Sequence, residues 1–381
     1  MRKIKIVFII TGLSTGGAEM MLLKLLERVD LEKFEPSVIS LTNRGEIGAR
    51  IESLGIPLMV LNMRPEFPNP LILINIVKSL KKIKPDIVHT WMYHADLIGG
   101  VAARLAGCQC VIWGIHHSNL SKNVNKRSTL LVVKLCALLS KFVPRKILLC
   151  SKRAQSIHSE AGYNSKKFYV IPNGIDIERF SPDGLAYTSV RAELSLPIGT
   201  PLVGLIARFD SQKNHIGFID AAAVIYANRT DVHFLLAGAQ IDNSNKDLTA
   251  AILKNGLSEN VHLLGRREDV SRLMASLDVL ASSSHGEAFP NVLGEAMACG
   301  VSCVVTDVGD CAEIIEGTGR SVAANDMAGL AGAVLEILNL NAEDKKNLSV
   351  LARQRVSDKY EIKHVVSLYE DFSLEVLKLS T

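Results

Sequence analysis

The 381-residue sequence contains no apolar run that approaches the ~20 residues needed to cross a bilayer as a helix. The N-terminus, MRKIKIVFII, is basic and then apolar, but it breaks at once into TGLSTGGAE, which favours a buried first strand over a signal peptide. Aromatic residues make up only 5% of the chain, which argues against an aromatic-rich platform for nucleic acid. We therefore expect a cytoplasmic globular protein that is not integral to a membrane and binds no nucleic acid.

Paired cysteines are also lacking. The number of cysteines is odd, no Cys-x-x-Cys pair occurs, and most of them lie in apolar runs: Cys108, Cys110, Cys136, Cys150, Cys299, Cys303 and Cys311. A cysteine in an apolar run behaves as a small hydrophobic residue. We expect reduced thiols, and neither a disulfide framework nor a zinc site.

Strand-like and helix-like segments alternate along the whole chain, and the series restarts after residue 180. The first series begins with KIKIVFII (3–10) and the second with PLVGLIARF (201–209). Such alternation, with strands rich in Val, Ile and Leu, predicts parallel sheets covered by helices. We predict an α/β protein of two doubly wound domains, joined through the turn-rich segment 171–182. An amphipathic helix, 360–379, follows the second domain.

The net charge of +4 is unevenly distributed. Residues 1–185 carry a net +12 and the remainder −8, which indicates either that the first half faces something anionic or that the two surfaces differ incidentally. The segment 121–149 mixes apolar runs with Lys122, Lys126, Arg127, Lys134, Lys141, Arg145 and Lys146. It is either a stretch that lies on an anionic membrane surface or a buried helix with a solvated basic face.

Two loops at predicted strand ends have residues suited to phosphate. TGLSTGGAE (11–19) places Gly16 and Gly17 between the first strand and a helix, where backbone N–H groups favour anions. It lacks both the G-x-G-x-x-G and the G-K-[ST] patterns, so an ordinary strand-to-helix turn is an equal alternative. In ARFDSQKNH (207–215), Arg208 and Lys213 follow the first strand of the second domain, where two cations would suit phosphate oxygens. The alternative is a charged loop that is merely solvated.

The segment HGEAFPNVLGEAMACG (285–300) has two glutamates, Glu287 and Glu295, with seven residues between them. It spans the end of a strand and the start of a helix, near Asn291 and Val292, whose backbone N–H groups have no partner within the helix. Glu287 either caps that helix or binds a ligand. A carboxylate on an otherwise apolar helix, such as Glu295, needs a donor to offset its desolvation, and sugar hydroxyls supply such donors.

The glutamate pair in EAFPNVLGE resembles the paired-glutamate motif of family 4 retaining glycosyltransferases of the GT-B fold, of the kind that build bacterial surface polysaccharides. Further matches cover nearly the whole chain: TGLSTGGAE, IPNGID, ARFDSQKN, LLAGA, HLLGRREDV and TDVGDCAEII. The resemblance implies two Rossmann-like domains that face each other across a cleft. Residues 1–178 with 360–381 would bind the acceptor, and residues 179–359 the nucleotide-sugar donor.

The resemblance also implies roles for single residues. Arg208 and Lys213 would bind the donor diphosphate and stabilise the charge that grows on it, Glu287 would bind the donor sugar, and Glu295 the ribose. Asn291 and Val292 would donate backbone N–H groups to phosphate, and Gly16 and Gly17 would close over the donor. The base would lie against the backbone near Arg266. The histidine near the donor sugar is His116 or His117, and we favour His117. His94 is a weaker candidate for touching the acceptor.

The implied reaction moves a hexose from a nucleotide sugar, with UDP favoured, to a glycan or a lipid-linked acceptor with retention of configuration. No Asp-x-Asp occurs in the sequence, so we predict that the two cations replace a metal ion and that no cofactor is needed. A sugar-nucleotide epimerase or hydrolase and a non-catalytic nucleotide-sugar-binding protein are the alternatives. A basic first domain is also compatible with contact to the inner face of the cell membrane.

Overall fold

The computed structural model describes residues 2–63, 71–121 and 125–379. Within it the chain forms two compact units, one of Met1–Gly174 with Ile362–Thr381 and one of Ile175–Glu361. The sequence also predicts a helix over 69–83; its residues 69 and 70, and Lys122 of the basic segment, lie outside the described residues. Each unit contains one parallel sheet with helices connecting the strands.

The elements of the first unit alternate between strand and helix. In chain order they are β1 (Ile4–Ile10), α1 (Gly17–Leu26), β2 (Phe34–Ser40), α2 (Gly45–Ser53), β3 (Leu58–Val60), α3 (Leu71–Ile83), β4 (Ile87–Trp91), α4 (Tyr93–Leu105), β5 (Val111–Ile115), α5 (Arg127–Leu139), β6 (Lys146–Leu149), α6 (Lys152–Glu160) and β7 (Phe168–Val170).

The first sheet has the strand order β3-β2-β1-β4-β5-β6-β7, and all of its ladders are parallel. β1, IKIVFII, is apolar at nearly every position because helices cover both of its faces. One apolar core contains Phe8 and Ile10 of β1, and another contains Val7 and Ile9 of the same strand. Alternate side chains of one strand therefore supply the two cores of the unit.

The second unit repeats this organisation. In chain order it contains α7 (Gly184–Glu193), β8 (Leu202–Ile206), α8 (His215–Asn228), β9 (His233–Ala237), α9 (Lys246–Lys254), β10 (Val261–Leu263), α10 (Val270–Ala275), β11 (Val279–Ser282), α11 (Asn291–Ala298), β12 (Ser302–Thr306), α12 (Cys311–Ile315), β13 (Arg320–Val322), α13 (Met327–Leu338) and α14 (Ala342–Tyr360). Its parallel sheet has the order β10-β9-β8-β11-β12-β13.

In both sheets the strand order reverses beside the first strand of the unit, between β1 and β4 and between β8 and β11. Loops that leave the carboxyl ends of these two neighbours diverge to opposite faces of the sheet, which leaves a crevice where ligands bind in doubly wound folds. The predicted α/β class with two Rossmann-like parallel sheets is confirmed.

A last helix, α15 (Ile362–Lys378), completes the first unit. Its apolar residues recur every three or four positions and join the core that contains α1; they are Ile362, Val365, Val366, Tyr369, Phe372 and Val376. The predicted helix 360–379 includes this segment, but the break falls at Glu361, where α14 ends and α15 begins.

The chain passes between the units after Gly174 and again after Glu361, whereas the sequence suggested boundaries after residues 178 and 359. Local pairing accounts for the difference. The backbone N–H of Ile175 donates to the carbonyl of Tyr360 at 2.7 Å, and Ile175 forms a parallel bridge with Glu361. The side chain of Ile175 also lies where a Cβ on Gly294 would be, so this short segment packs with the second unit.

Candidate active site

The candidate site lies in the second unit, at the point where its strand order reverses. Lys213 follows β8 in a 3-10 turn, Ser211–Lys213, and Glu287 follows β11 in the loop before α11. The two loops are joined by a hydrogen bond from the backbone N–H of His285 to the carbonyl of Gln212, at 2.7 Å. Parallel strands bring their carboxyl ends to one edge, so residues 74 positions apart in sequence meet here.

Lys213 and Glu287 form a direct ion pair. The Lys213 ammonium lies 2.5 Å from Oε1 of Glu287, and the two side chains are 22% and 10% exposed. The hydroxyl of Ser284 donates to the same carboxylate oxygen at 2.8 Å. Two donors therefore hold one oxygen of Glu287, in a geometry typical of a charge-assisted hydrogen bond.

Backbone contacts fix both loops. The Ser283 hydroxyl donates to the carbonyls of Lys213 and Asn214, at 3.1 and 2.9 Å. The Thr306 hydroxyl, at the end of β12, donates to the carbonyl of Ser284 at 2.6 Å. Asn214 is left-handed (φ +51°) and its side chain accepts from Gly217 at the start of α8, so the turn that carries Lys213 is closed by a helix cap.

A glycine lies directly behind the glutamate. Gly309 has φ +60°, and a Cβ there would lie 2.2 Å from the carbonyl oxygen of Glu287. No side chain fits between the loop after β12 and the loop that carries Glu287. The position of the carboxylate therefore depends on the absence of a side chain at residue 309.

Arg208 occupies the other end of the β8 loop. Its guanidinium donates twice to one oxygen of Asp210, at 3.2 and 3.1 Å, and its side chain is 59% exposed. The loop backbone passes close to Gly238, where a Cβ would lie 2.0 Å from the carbonyl oxygen of Ala207. The structure thus places a solvent-accessible arginine on the same loop as the half-buried Lys213.

Helix α11 begins at Asn291, next to the loop of Glu287, after Pro290 with φ −75°. Val292 and Lys213 border a small pocket together with Glu287, and the lining residues are Leu205, Ile206, Ala207, Lys213, Leu280, Ala281, Ser282, Ser284, Glu287 and Val292. Glu295 lies one turn further along α11 and is half-buried. The first turn of this helix adds its partial positive charge to that of Lys213.

Arg266 follows β10, on the far side of β9 from this pocket, and is exposed. The preceding Gly265 has φ +64°, and its carbonyl accepts from the N–H of Gly238 at 2.8 Å. This bond ties the loop of Arg266 to the loop after β9. Each predicted donor-site residue follows a strand of one sheet or lies in α11, the helix after β11: Arg208, Lys213, Arg266, Glu287, Asn291, Val292 and Glu295.

The remaining predicted site residues belong to the first unit. Gly16 is the N-cap of α1 in an extended conformation (φ −157°), and Gly17 is the first residue of that helix. A Cβ on Gly16 would lie 2.4 Å from a carboxylate oxygen of Glu19, so the side chain of Glu19 folds back over the glycine turn. His94 lies in the first turn of α4, and burial lowers its pKa.

The two adjacent histidines after β5 have different surroundings. His116 stacks on Trp91 with ring centroids 4.2 Å apart, and burial lowers its pKa to about 3. His117 meets Tyr93 edge-on at 6.2 Å, and burial lowers its pKa as well. His116 thus remains neutral at physiological pH, while the role of His117 near a donor sugar stays a prediction.

The seven cysteines are buried free thiols. Burial raises the pKa of Cys299 to about 12, so a thiolate nucleophile is disfavoured beside Glu295. No cluster of three or more potential metal ligands occurs within residues 2–63, 71–121 and 125–379. Among the helices of these residues, none is both long enough and apolar enough to span a bilayer.

Sequence reasoning identified Lys213 and Glu287 separately but missed both their direct pairing and the contribution of Ser284. Ser284 occurs in the run SSS at the end of β11, where a hydroxyl is as readily explained by a turn as by a site. The spacing of three residues between Ser284 and Glu287 is the sequence feature that could have indicated this contact.

Two family sequence models match this chain. The one described as Glycosyltransferase Family 4 matches residues 15–179, and the one described as Glycosyl transferases group 1 matches residues 200–340. The first match lies almost wholly in the first unit and the second lies within the second unit.

Curated relatives extend over most of the chain. A UDP-Gal:alpha-D-GlcNAc-diphosphoundecaprenol alpha-1,3-galactosyltransferase of Escherichia coli is 27% identical over 313 residues, which cover 80% of this chain and 79% of the relative. The putative glycosyltransferase EpsF of Bacillus subtilis is 27% identical over 312 residues, with the same coverage.

Solved structures share the architecture. Anabaena HepE, crystallised with UDP, has a TM-score of 0.85 at 22% identity and covers 97% of this chain and 99% of its own. Sucrose-phosphate synthase of Thermosynechococcus elongatus has a TM-score of 0.80 at 18% identity, with 99% and 100% covered. These likenesses establish the fold that the chain shares with both.

Proposed function

Because the chain belongs to the glycosyltransferases, with a Family 4 domain followed by a group 1 domain, we propose that it transfers a hexose from a UDP-sugar to a hydroxyl of a lipid-linked acceptor. The name of the Escherichia coli relative supports both a UDP-linked donor and an undecaprenyl-diphosphate-linked acceptor. A Campylobacter jejuni relative, 25% identical over 359 residues, is also named for a diphospho-undecaprenol substrate. The role that follows is in surface polysaccharide synthesis.

The observation that carries the proposal is the Lys213–Glu287 pair beside the first turn of α11. A nucleotide sugar combines an anionic diphosphate with a hydroxyl-rich sugar, and this edge of the sheet has a partner for each. Lys213, Arg208 and the helix start suit the diphosphate, because cations and the N–H groups at a helix N-terminus bind phosphate oxygens. The Glu287 carboxylate suits sugar hydroxyls.

Further donor contacts follow from the same arrangement. Asn291 and Val292 would donate backbone N–H groups to phosphate, and Glu295 would accept hydrogen bonds from the ribose. The backbone near Arg266 would lie against the base. Glu287 keeps a binding role in this proposal, because Lys213 and Ser284 already hold one of its oxygens.

We assign a retaining, front-face reaction. The bond from the anomeric carbon to the donor phosphate oxygen breaks, and a bond to the acceptor oxygen forms on the same face. The acceptor proton moves to an oxygen of the departing diphosphate. Lys213 and Arg208 stabilise the negative charge that grows on this leaving group, which is electrostatic catalysis.

The proposal needs no metal ion. Arg208 and Lys213 supply positive charge at the diphosphate, and the sequence has no Asp-x-Asp pair to hold a divalent ion there. Transfer in the presence of a chelator checks this part. Full activity in excess EDTA is expected, and loss of activity that added Mg²⁺ or Mn²⁺ restores would contradict it.

The first domain would receive the acceptor. Gly16 and Gly17 at the start of α1, with His117 after β5, are proposed to approach the donor, and His94 in α4 to touch the acceptor. A lipid-linked acceptor also requires work at a membrane surface. We therefore propose peripheral contact of the basic first domain with an anionic membrane on its cytoplasmic side.

The proposal is tested by supplying labelled UDP-hexoses with undecaprenyl-diphosphate-linked saccharides and following label in the lipid fraction. Glu287→Gln and Lys213→Met should each lower transfer about 100-fold or more. Lys254→Met and Glu259→Gln are matched controls, because both residues are exposed on the same domain at the end of α9 and just before β10.

Normal turnover in Glu287→Gln and Lys213→Met would refute the assignment of this site. The alternatives give different results in the same assay. An epimerase or hydrolase converts the donor without an acceptor, and a non-catalytic protein binds the donor without turnover. NMR of the product checks the anomeric configuration, and inversion would contradict the front-face reaction.

A further inference from the structure

Helix α5 exposes a stripe of large apolar side chains. Leu131, Leu135 and Leu138 are 58%, 39% and 68% exposed, and Phe142, in the turn after the helix, is 75% exposed. Their spacing of four, three and four residues places them on one face of a helix. We name these four residues the α5 stripe. Single exposed leucines are ordinary on a protein surface, but an aligned set with a phenylalanine is not.

The inner face of α5 is committed to the fold. Val133, Cys136 and Ala137 are buried in the core of the first unit, and the thiol of Cys136 contacts the carbonyl of Tyr93 at 3.5 Å. The helix therefore cannot turn its exposed stripe inward without losing this packing. The apolar side chains of the stripe are a permanent feature of the surface.

The turn that presents Phe142 is held by two cations. The ammonium of Lys167 donates to the carbonyls of Ser140, Lys141 and Pro144 at 2.9, 2.7 and 2.6 Å. The guanidinium of Arg104 donates to the carbonyl of Val143 at 2.7 Å. Phe142 therefore lies on a fixed turn. The two cations are also favourable there because a helix C-terminus carries partial negative charge.

The charged residues near the stripe in the sequence have one sign. No Asp or Glu occurs from residue 97 to residue 159, a range that contains ten Lys and Arg residues. Those exposed in or beside α5 are Lys126, Arg127, Lys134, Lys141 and Arg145. An apolar stripe flanked by cations matches the interface of an anionic bilayer, where apolar side chains enter the acyl boundary and cations meet phosphate headgroups.

We infer that the α5 stripe and its flanking cations form the surface by which this protein docks on a bilayer that contains anionic phospholipid. The inference rests on the proposed function in one respect, namely that a lipid-linked acceptor requires the enzyme at a membrane. A second copy of the chain is a poorer occupant. An interface that pairs two identical stripes about a twofold axis would bring like charges together.

The test is co-sedimentation of the full-length protein with vesicles of phosphatidylcholine alone or with added phosphatidylglycerol. The wild type should bind only the anionic vesicles and should dissociate in high salt. Lys134→Ala with Lys141→Ala should weaken partitioning roughly 5-fold for each cation removed. Leu138→Glu with Phe142→Glu should weaken it roughly 10-fold or more, because charged side chains do not enter the acyl boundary.

The matched controls are Leu185→Glu and Leu253→Glu, which change leucines that are 79% and 73% exposed on the second unit. They should bind vesicles like the wild type. All of these variants should transfer sugar normally to a detergent-solubilised acceptor, since none lies at the candidate active site. Failure of the proposed function would instead appear as normal transfer by Lys213→Met.

Two results would overturn the docking surface. One is vesicle binding that is unchanged in both stripe variants. The other is a dimer of the wild type in light scattering that Phe142→Glu converts to a monomer, since a second copy would then cover the stripe.

Discussion

Replacement of Lys213 by methionine tests the electrostatics of the candidate site apart from its chemistry. Methionine keeps the long apolar stem and removes the charge. The Glu287 carboxylate, 10% exposed, then loses the ammonium at 2.5 Å and keeps the hydroxyl of Ser284. An anion that is largely out of water and has lost its cation destabilises the folded domain.

The magnitude follows from distance and burial. At 2.5 Å and an effective dielectric constant of about 20, Coulomb's law gives roughly 7 kcal/mol of attraction, before the cost of desolvating both groups. Net values for hydrogen bonds to charged groups are about 1.5–3 kcal/mol. We expect Lys213→Met to lower the free energy of unfolding of the second domain by about 2–3 kcal/mol.

The informative comparison is with the double variant, Lys213→Met with Glu287→Gln. A neutral amide has no unbalanced charge, so the double variant should be more stable than Lys213→Met alone, by about 1–2 kcal/mol. Both tryptophans, Trp91 and Trp113, lie in the first unit, so fluorescence does not report on the second. Hydrogen exchange of the β8 and β11 amides is the appropriate measurement.

Strict additivity of the two single changes would refute this reasoning. It would mean that the ammonium and the carboxylate do not interact in solution, despite the contact. A normal rate of sugar transfer by Lys213→Met would leave the stability argument intact but remove the residue from catalysis. The two readouts therefore test separate statements about one side chain.

Three further predictions concern backbone fit, pH and thiol reactivity. Gly309→Ala should remove most of the transfer activity because its Cβ would lie 2.2 Å from the carbonyl oxygen of Glu287. The control Gly317→Ala, also at positive φ but with no atom nearby, should lower the free energy of unfolding by only about 1 kcal/mol and keep activity; equal activity of the two variants would contradict this. Burial lowers the pKa of His116 from 6.5 to about 3, so the unfolded chain binds this proton at a higher pH than the folded protein does. The free energy of unfolding should therefore fall as pH drops from just above 6.5. His116→Phe keeps a ring on Trp91 and should remove about 2 kcal/mol of the loss between pH 7 and pH 5 in urea unfolding followed by tryptophan fluorescence; an unchanged loss would show that His116 does not titrate with unfolding. The seven cysteines should resist iodoacetamide at pH 8 until denaturant is added, since all are buried; mass spectrometry of the native protein detects any that react.

Much of the fold is predictable from the sequence because long apolar strands alternate with helices, and the restart near residue 200 marks the second sheet. Short elements such as β3, Leu58–Val60, were missed. Three residues carry too little periodicity, and their strand character comes from pairing with β2 at the edge of the sheet. The last helix was predicted from residue 360, close to Ile362 where α15 begins, but α14 before it was not predicted.

The candidate site was predictable in its parts. The spacing of Glu287 and Glu295 and the loop with Arg208 and Lys213 indicated a donor site. The ion pair was not, because it depends on the β8–β11 pairing that brings two loops to one edge of the sheet. Ser284 was missed for a local reason, because a serine at the end of a strand is as readily explained by a turn as by a site. Its role is visible only once the turn directs its hydroxyl at the carboxylate.

The place of α15 in the core of the first unit has a consequence for synthesis on the ribosome. Residues 1–174 emerge first, but Val365, Tyr369 and Phe372 of their core emerge only after the whole of the second unit. The nascent first unit therefore exposes an apolar groove along α1 while the second unit can already fold. The part of the chain that is translated first would therefore need a chaperone over that groove for the longest time, until α15 has emerged.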